Sequence, residues 1–130
     1  MIPEGATARF PFSVTAEDMD AFARLSGDTN PLHTDDAFAR AKGFAGRVVY
    51  GGLLVAQVSR LLGMELPGRD GVWMGLKIDF RNPLFIDEPA ELDAVVDRVS
   101  EAVSLVRLKF SIRAGERLIA TGTAESKVDG

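Results

Sequence analysis

The strongest constraint on this chain is the run Gly51-Gly52-Leu53-Leu54-Val55-Ala56-Gln57-Val58-Ser59-Arg60-Leu61-Leu62-Gly63. It opens on two glycines, closes on a third, and is interrupted only by Gln57, Ser59 and Arg60. A helix that is apolar on nearly all sides has no face for water and must be buried. The whole chain is 130 residues long, the size of one domain. Residues 1–130 are therefore expected to form a single domain that wraps this helix.

After the helix the hydrophobic period changes to two. Val72, Met74, Leu76, Ile78 and Phe80 alternate with Trp73, Lys77, Asp79 and Arg81. Val106, Leu108, Phe110 and Ile112 alternate with Arg107, Lys109 and Arg113, and Leu118, Ala120, Gly122 and Ala124 make a last run. Ala114-Gly115 turns the chain between these two strands, and a further strand is expected over Ala90–Ser100. Four strands in succession favour antiparallel hairpins over parallel crossovers.

Before the helix, Arg9–Val14 reads as a short first strand. Thr15-Ala16-Glu17-Asp18 is an N-capping signature with acids placed for the helix dipole. Met19, Phe22, Ala23 and Leu25 follow at helical spacing until Gly27 stops the helix. A second helix is expected from Asp35 to Lys42, capped by Thr34 and ended by Gly43. The class is α+β, with a long central helix wrapped by an antiparallel sheet.

Composition excludes several functions. With 15 basic and 19 acidic residues the net charge is −4, a poor footing for nucleic acid or an anionic membrane surface. No cysteine is present, which removes disulfides, thiolate metal sites and cysteine nucleophiles. The N-terminus lacks a basic segment followed by an apolar run. The longest apolar stretch, Gly51–Ala56, is far short of a membrane span. A soluble, cytoplasmic protein is the expectation.

One loop holds the residues with chemical potential. Gly27-Asp28-Thr29-Asn30-Pro31-Leu32-His33 contains the only histidine. On a regular helix, five residues turn the chain about 140° past a full circle, so Asp28 and His33 would diverge. In a loop they can converge, and Pro31 restricts both itself and Asn30. A carboxylate beside an imidazole moves protons in both directions near neutral pH. As bare spacing, however, the same residues also read as an Asx turn with His33 capping the next helix. A calcium loop is excluded, because His33 and Ala39 stand where glycine and an acid are needed. Zinc lacks ligands, and no nucleophile elbow or P-loop occurs. Gly51 and Gly52 offer free N–H groups to an anion or a polarised carbonyl, or simply allow tight packing. Ser59 either meets a partner or bonds back to Val55.

The stretch Phe22–His33, with its Gly-Asp-x-Asn-Pro-Leu-His core at residues 27–33, closely resembles the signature of MaoC-like, R-specific enoyl-CoA hydratases (hydratase 2 type). The similarity extends through Ala37-Phe38-Ala39, Val49–Leu54, Leu61-Leu62-Gly63 and Phe80–Phe85. The resemblance implies a hot-dog fold that pairs into homodimers, with an acyl-CoA or acyl-carrier-protein thioester entering near the subunit interface. It implies that Asp28 acts as general base on a water, that His33 binds the same water and shares in proton transfer, and that Asn30 supports the loop. Gly51 N–H would hold the thioester oxygen, and Ser59 would have a supporting role. No cofactor or metal is implied. Many relatives carry histidine where this chain has Tyr50, which puts the contact at that position, and with it the substrate preference, in question.

The reaction so implied is syn addition of water to a trans-2-enoyl thioester, or the reverse dehydration. A hot-dog thioesterase is the competing enzyme, but no acid lies between Gly51 and Gly63. A dehydratase acting on carrier-protein substrates is a variant of the first reading, and a non-catalytic acyl-binding subunit is a third. Arg47, Arg60, Lys77 and Arg81 read as solvated charges that could meet phosphates. Acyl chain length and the direction of the reaction are not encoded legibly.

Overall fold

Each change of hydrophobic period in the sequence becomes a change of element in the computed structural model, which describes residues 2–128. In chain order these are β1 (Thr7–Phe12), α1 (Ala16–Ser26), α2 (Pro31–Thr34), α3 (Asp36–Ala41), α4 (Gly51–Arg60), a π-helical continuation (Leu61–Glu65), β2 (Gly71–Phe80), β3 (Ala90–Ser100), β4 (Leu105–Ala114) and β5 (Arg117–Val128). All strand pairs are antiparallel, in the order β1-β3-β4-β5-β2. The result is a hot-dog-like α+β fold, a five-stranded sheet around a central helix of fifteen residues.

The caps follow the sequence closely. Thr15 and Asp18 form a reciprocal capping box at the start of α1. Gly27 ends α1 with φ of 77°, a left-handed conformation that glycine adopts without a Cβ clash. Gly115 makes the β4–β5 turn at φ 60°. Strands β3 and β4 alternate cleanly: Leu92, Ala94 and Val96, and Val106, Leu108, Phe110 and Ile112, all point inward. They meet Leu54, Val58, Leu61 and Leu62 of the central helix in one core cluster. Burying each such side chain contributes about 1.5–3 kcal/mol.

Five expectations need correction. The first strand ends at Phe12 rather than Val14, because Val14 turns inward and its carbonyl accepts Asp87 N–H at 2.8 Å. The second helix is capped by Asp35, not Thr34: the Asp35 carboxylate accepts Phe38 N–H, whereas Thr34 closes the preceding turn, α2. The central helix is buried on one face only. Gly52, Ala56, Ser59 and Arg60 are exposed, since the sheet covers a single side. On β2 the apolar set Val72, Met74, Leu76 and Phe80 lies outward, 38–61% exposed, while Trp73 turns in. Finally, β2 and β3 do not form a hairpin. β2 pairs with β5 across a bulge at Trp73/Gly75, and the chain then crosses to the other half of the sheet.

That crossing segment explains the topology. Pro83 and Pro89 cannot donate to a ladder, so the chain leaves the sheet there. Phe85 instead forms an isolated bridge to Val48, and Val49 N–H donates to Leu84 O at 2.9 Å. Arg117 on β5 holds the segment by donating to Pro83 O at 2.9 Å and to the Glu88 carboxylate. The Arg117 hydrogen bond is the chief reason that the Glu88 carboxyl lies below the usual carboxylate range, against the opposing effect of burial.

A carboxyl with a lowered folded-state pKa stabilises the fold above its unfolded value and loses that contribution as pH falls through the folded one. The thermal midpoint should therefore decline as pH drops below about 4.3, and the decline should be shallower in Glu88→Gln. Equal pH slopes in both proteins would remove this role for the Arg117–Glu88 pair. A second prediction concerns Gly122 in the middle of β5. A Cβ there would lie 2.1 Å from Lys77 O and 2.5 Å from the Phe110 ring. Gly122→Ala should lower unfolding stability by about 1–3 kcal/mol or more, read as a shift in denaturant midpoint. An unchanged midpoint would show that β2 and β5 yield at no cost.

Candidate functional site

The loop between α1 and α3 is built by short polar side chains that hydrogen-bond their own backbone. Ser26 Oγ donates to Phe22 O at 2.7 Å and accepts Asp28 N–H at 3.1 Å. Asp28 Oδ1 accepts Asn30 N–H at 3.0 Å, an Asx turn. Asn30 Oδ1 accepts Leu32 N–H at 2.9 Å and so caps α2, with Pro31 at its first position. The segment expected as irregular loop thus contains one helical turn, and that turn delivers His33.

A second segment, Arg47–Tyr50, runs alongside and fastens the loop at four points. Arg47 Nε donates to His33 O at 2.7 Å, and Val48 N–H donates to Leu32 O at 3.1 Å. His33 Nδ1 lies 2.7 Å from Val48 O. A carbonyl can only accept, so Nδ1 carries the hydrogen and Nε2 of the neutral ring is left with its lone pair. Tyr50 Oη donates to Asp28 O at 2.6 Å. The Tyr50 ring stacks on His33 with centroids 4.2 Å apart and planes 25° apart, and packs on Phe22 at 4.7 Å. Tyr50 is only 1% exposed. Burial, and then the charge of Asp28, push its phenol above the usual tyrosine range, so it remains a donor at working pH.

Tyr50 also precedes Gly51. The helices α1, α2 and α3 are capped by the side chains of Thr15, Asn30 and Asp35; α4 has no side-chain cap. Leu53 N–H turns back to Tyr50 O at 3.0 Å, and among the described residues the Gly51 and Gly52 N–H groups are left for another acceptor. Both opening glycines admit aromatic rings. A Cβ at Gly51 would lie 2.9 Å from the Phe80 ring, and one at Gly52 would lie 2.3 Å from the Phe22 ring. Gly51 and His33 share the wall of a cavity of about 430 Å³, whose apolar lining includes Phe44, Val48, Leu54, Phe80 and Leu84.

The sequence-derived residues therefore divide. Asp28 and His33 both rest on Tyr50, though their side chains make no direct hydrogen bond among the described residues. Asn30 is a cap within the same loop. Gly51 faces the cavity with His33. Ser59 stands exposed eight residues along α4, about 12 Å from Gly51, and is not among the cavity's lining residues. Arg47, read in the sequence as a solvated charge, is a brace for His33 with its side chain only 16% exposed. Arg60 lies over the Phe10 ring at 4.0 Å, and Arg81 lies 3.9 Å from Asp79. The bracing role of Arg47 and Tyr50 left no signal in spacing, because it depends on how two distant segments meet.

Known proteins resemble this chain over most of its length. The family model described as "MaoC like domain" matches residues 2–109. An (R)-specific enoyl-CoA hydratase from Aeromonas caviae is 35% identical over 125 residues, covering 95% of this chain and 93% of that protein. A solved structure of an (R)-hydratase from A. caviae involved in PHA biosynthesis superposes with a TM-score of 0.93 at 34% identity, covering 98% of both chains. A mitochondrial 3-hydroxyacyl-[acyl-carrier-protein] dehydratase from Arabidopsis thaliana is 36% identical over 101 residues, 76% of this chain and 58% of that one. With its loop, its uncapped central helix and these likenesses taken together, the chain belongs to the MaoC-like domain family.

Proposed function

We propose that this chain is a hydro-lyase that adds water to a trans-2-enoyl thioester to give the (R)-3-hydroxyacyl thioester, and catalyses the reverse dehydration. The observation that carries the reading is the meeting of two kinds of group at one cavity. The imidazole of His33 and the uncapped start of α4 at Gly51 line that cavity; Asp28 is not a lining residue, but it lies five residues earlier in the same loop and its carbonyl is tied to Tyr50, just before Gly51.

The β-carbon of an enoyl thioester is electrophilic because the carbonyl withdraws electrons from it. In the hydration direction a water held between Asp28 and His33 attacks C3. Its proton passes to the Asp28–His33 pair, and charge moves onto the thioester oxygen. Gly51 N–H donates to that oxygen and stabilises the enolate. The pair then returns a proton to C2 on the same face, so water is added without net proton gain. His33 Nε2, with Nδ1–H committed to Val48 O, accepts from the water in the resting state. Asn30 keeps the loop in shape by capping α2.

We further propose a homodimer formed edge to edge through β2. That strand is at the end of the sheet and exposes Val72, Met74, Leu76 and Phe80, an unpaired apolar edge that invites a second copy. Phe80 belongs both to this edge and to the cavity wall, which would bring a partner close to the acyl group. The names of the relatives cover both CoA and carrier-protein thioesters, and either fits this chemistry. Hydrolysis has less support, since α4 holds no carboxylate between Gly51 and Gly63.

The test is hydration of a panel of enoyl-CoA substrates of varied length and branching, with crotonyl-CoA first and product chirality recorded. Asp28→Asn keeps an oxygen for Asn30 N–H, and His33→Asn keeps a donor for Val48 O. Both should therefore fold, with kcat reduced about 10²–10⁴-fold. No release of free CoA should accompany hydration. Full activity in either variant, or CoA release as the main reaction, would contradict the proposal.

A further inference from the structure

Tyr50 touches Asp28 and His33 and directly precedes Gly51, yet it is not among the residues that line the cavity. Its hydroxyl donates to Asp28 O at 2.6 Å, and its ring stacks on His33 at 4.2 Å. Its own backbone is the N-cap of α4, immediately before Gly51. A tyrosine kept only to fill a core needs a partner for its hydroxyl, and any nearby carbonyl or water serves. Here the partner is the main chain of the residue that carries the proposed base. The face of the ring covers the only histidine in the chain.

Each contact removes a different freedom. The hydroxyl limits how far the backbone at Asp28 can move from α4. The ring limits rotation of the His33 imidazole, which the Nδ1–H bond to Val48 O alone leaves free to rock about that contact. Phe22 packs against Tyr50 with ring centroids 4.7 Å apart, and Gly52 makes room for Phe22, since a Cβ there would lie 2.3 Å from its ring. The aromatic column of Phe22, Tyr50 and His33 is thus seated against the start of α4.

We infer that Tyr50 is a positioning residue that holds Asp28 and the Nδ1–H tautomer of His33 in register with Gly51 N–H. This rests on the hydro-lyase reading for its catalytic consequence, but its structural part stands alone. The register is set by a side chain whose hydroxyl reaches the Asp28 carbonyl while its ring covers His33. The proposed acid–base pair acts within a narrow range of geometry, so loosening it lowers turnover more than binding.

The test uses the full chain with Tyr50→Phe and Tyr50→Leu. Phe keeps the stack and loses the hydroxyl; Leu loses both. With crotonyl-CoA, kcat should fall about three- to tenfold in Tyr50→Phe and about a hundredfold in Tyr50→Leu, with KM within about twofold. The second readout needs no substrate. The single imidazole gives an unambiguous ¹H–¹⁵N spectrum, which should report the Nδ1–H tautomer in the wild type and in Tyr50→Phe. In Tyr50→Leu it should report mixed tautomers and loss of the ring-current shift. If the wild type hydrates no enoyl thioester, the hydro-lyase reading fails and the imidazole spectra alone decide the positioning claim. Unaltered His33 signals in folded Tyr50→Leu overturn it. So does turnover in both variants that equals the wild type, or losses that appear in KM rather than kcat.

Discussion

The burial of one face of α4 against the sheet is the constraint on which the rest depends. Leu54, Val58, Leu61 and Leu62 are inside, and their removal from water sets the rotation and height of the helix. Once these are set, Gly51, the first residue of α4, is placed at the cavity wall. The loop carrying Asp28 and His33 need only be brought to that point. Strands β3, β4 and β5 supply the wall behind it, with inward side chains alternating from Ala90 to Val96 on β3 and from Val106 to Ala114 on β4.

The loop is brought there by a division of labour in hydrogen bonding. Ser26, Asp28 and Asn30 give the loop its shape through contacts no more than four residues away. Arg47, Val48 and Tyr50 give it its place through contacts that span 14 to 22 residues. The first set makes the loop compact enough to end in a helical turn at His33. The second ties the middle of that turn, and Asp28 before it, to the segment that becomes α4. The cavity's remaining walls come from the β2–β3 crossing, which prolines release from the sheet and Arg117 anchors. Three distant parts of the chain therefore converge at one helix start, and each arrives there for an identifiable local reason.

Much of this was legible in the sequence. The capping box at Thr15, the left-handed stop at Gly27, the central helix and the strands β3 to β5 are short-range or periodic features, and they are found where expected. The failures have physical causes. Thr34 and Asp35 are both good caps, and the outcome depended on which carboxylate or hydroxyl met a free N–H. The outward face of β2 and the exposed side of α4 look like core in sequence because apolar residues do not state what covers them. The exchange of hairpin for crossover after β2 turned on Pro83 and on a bridge between Val48 and Phe85, a contact no spacing encodes. The motif at residues 27–33 was readable, but Tyr50 and Arg47 as its supports were not, since they act across the fold.

The central claim is that Asp28, His33 and Gly51 act on one thioester from one side. The most direct measurement is hydration of crotonyl-CoA in D₂O, with the configuration of the product determined at both C2 and C3. The account predicts (R)-3-hydroxybutyryl-CoA carrying one deuterium at C2, added to the same face as the hydroxyl. Anti addition, an (S) product, or no addition at all would contradict it.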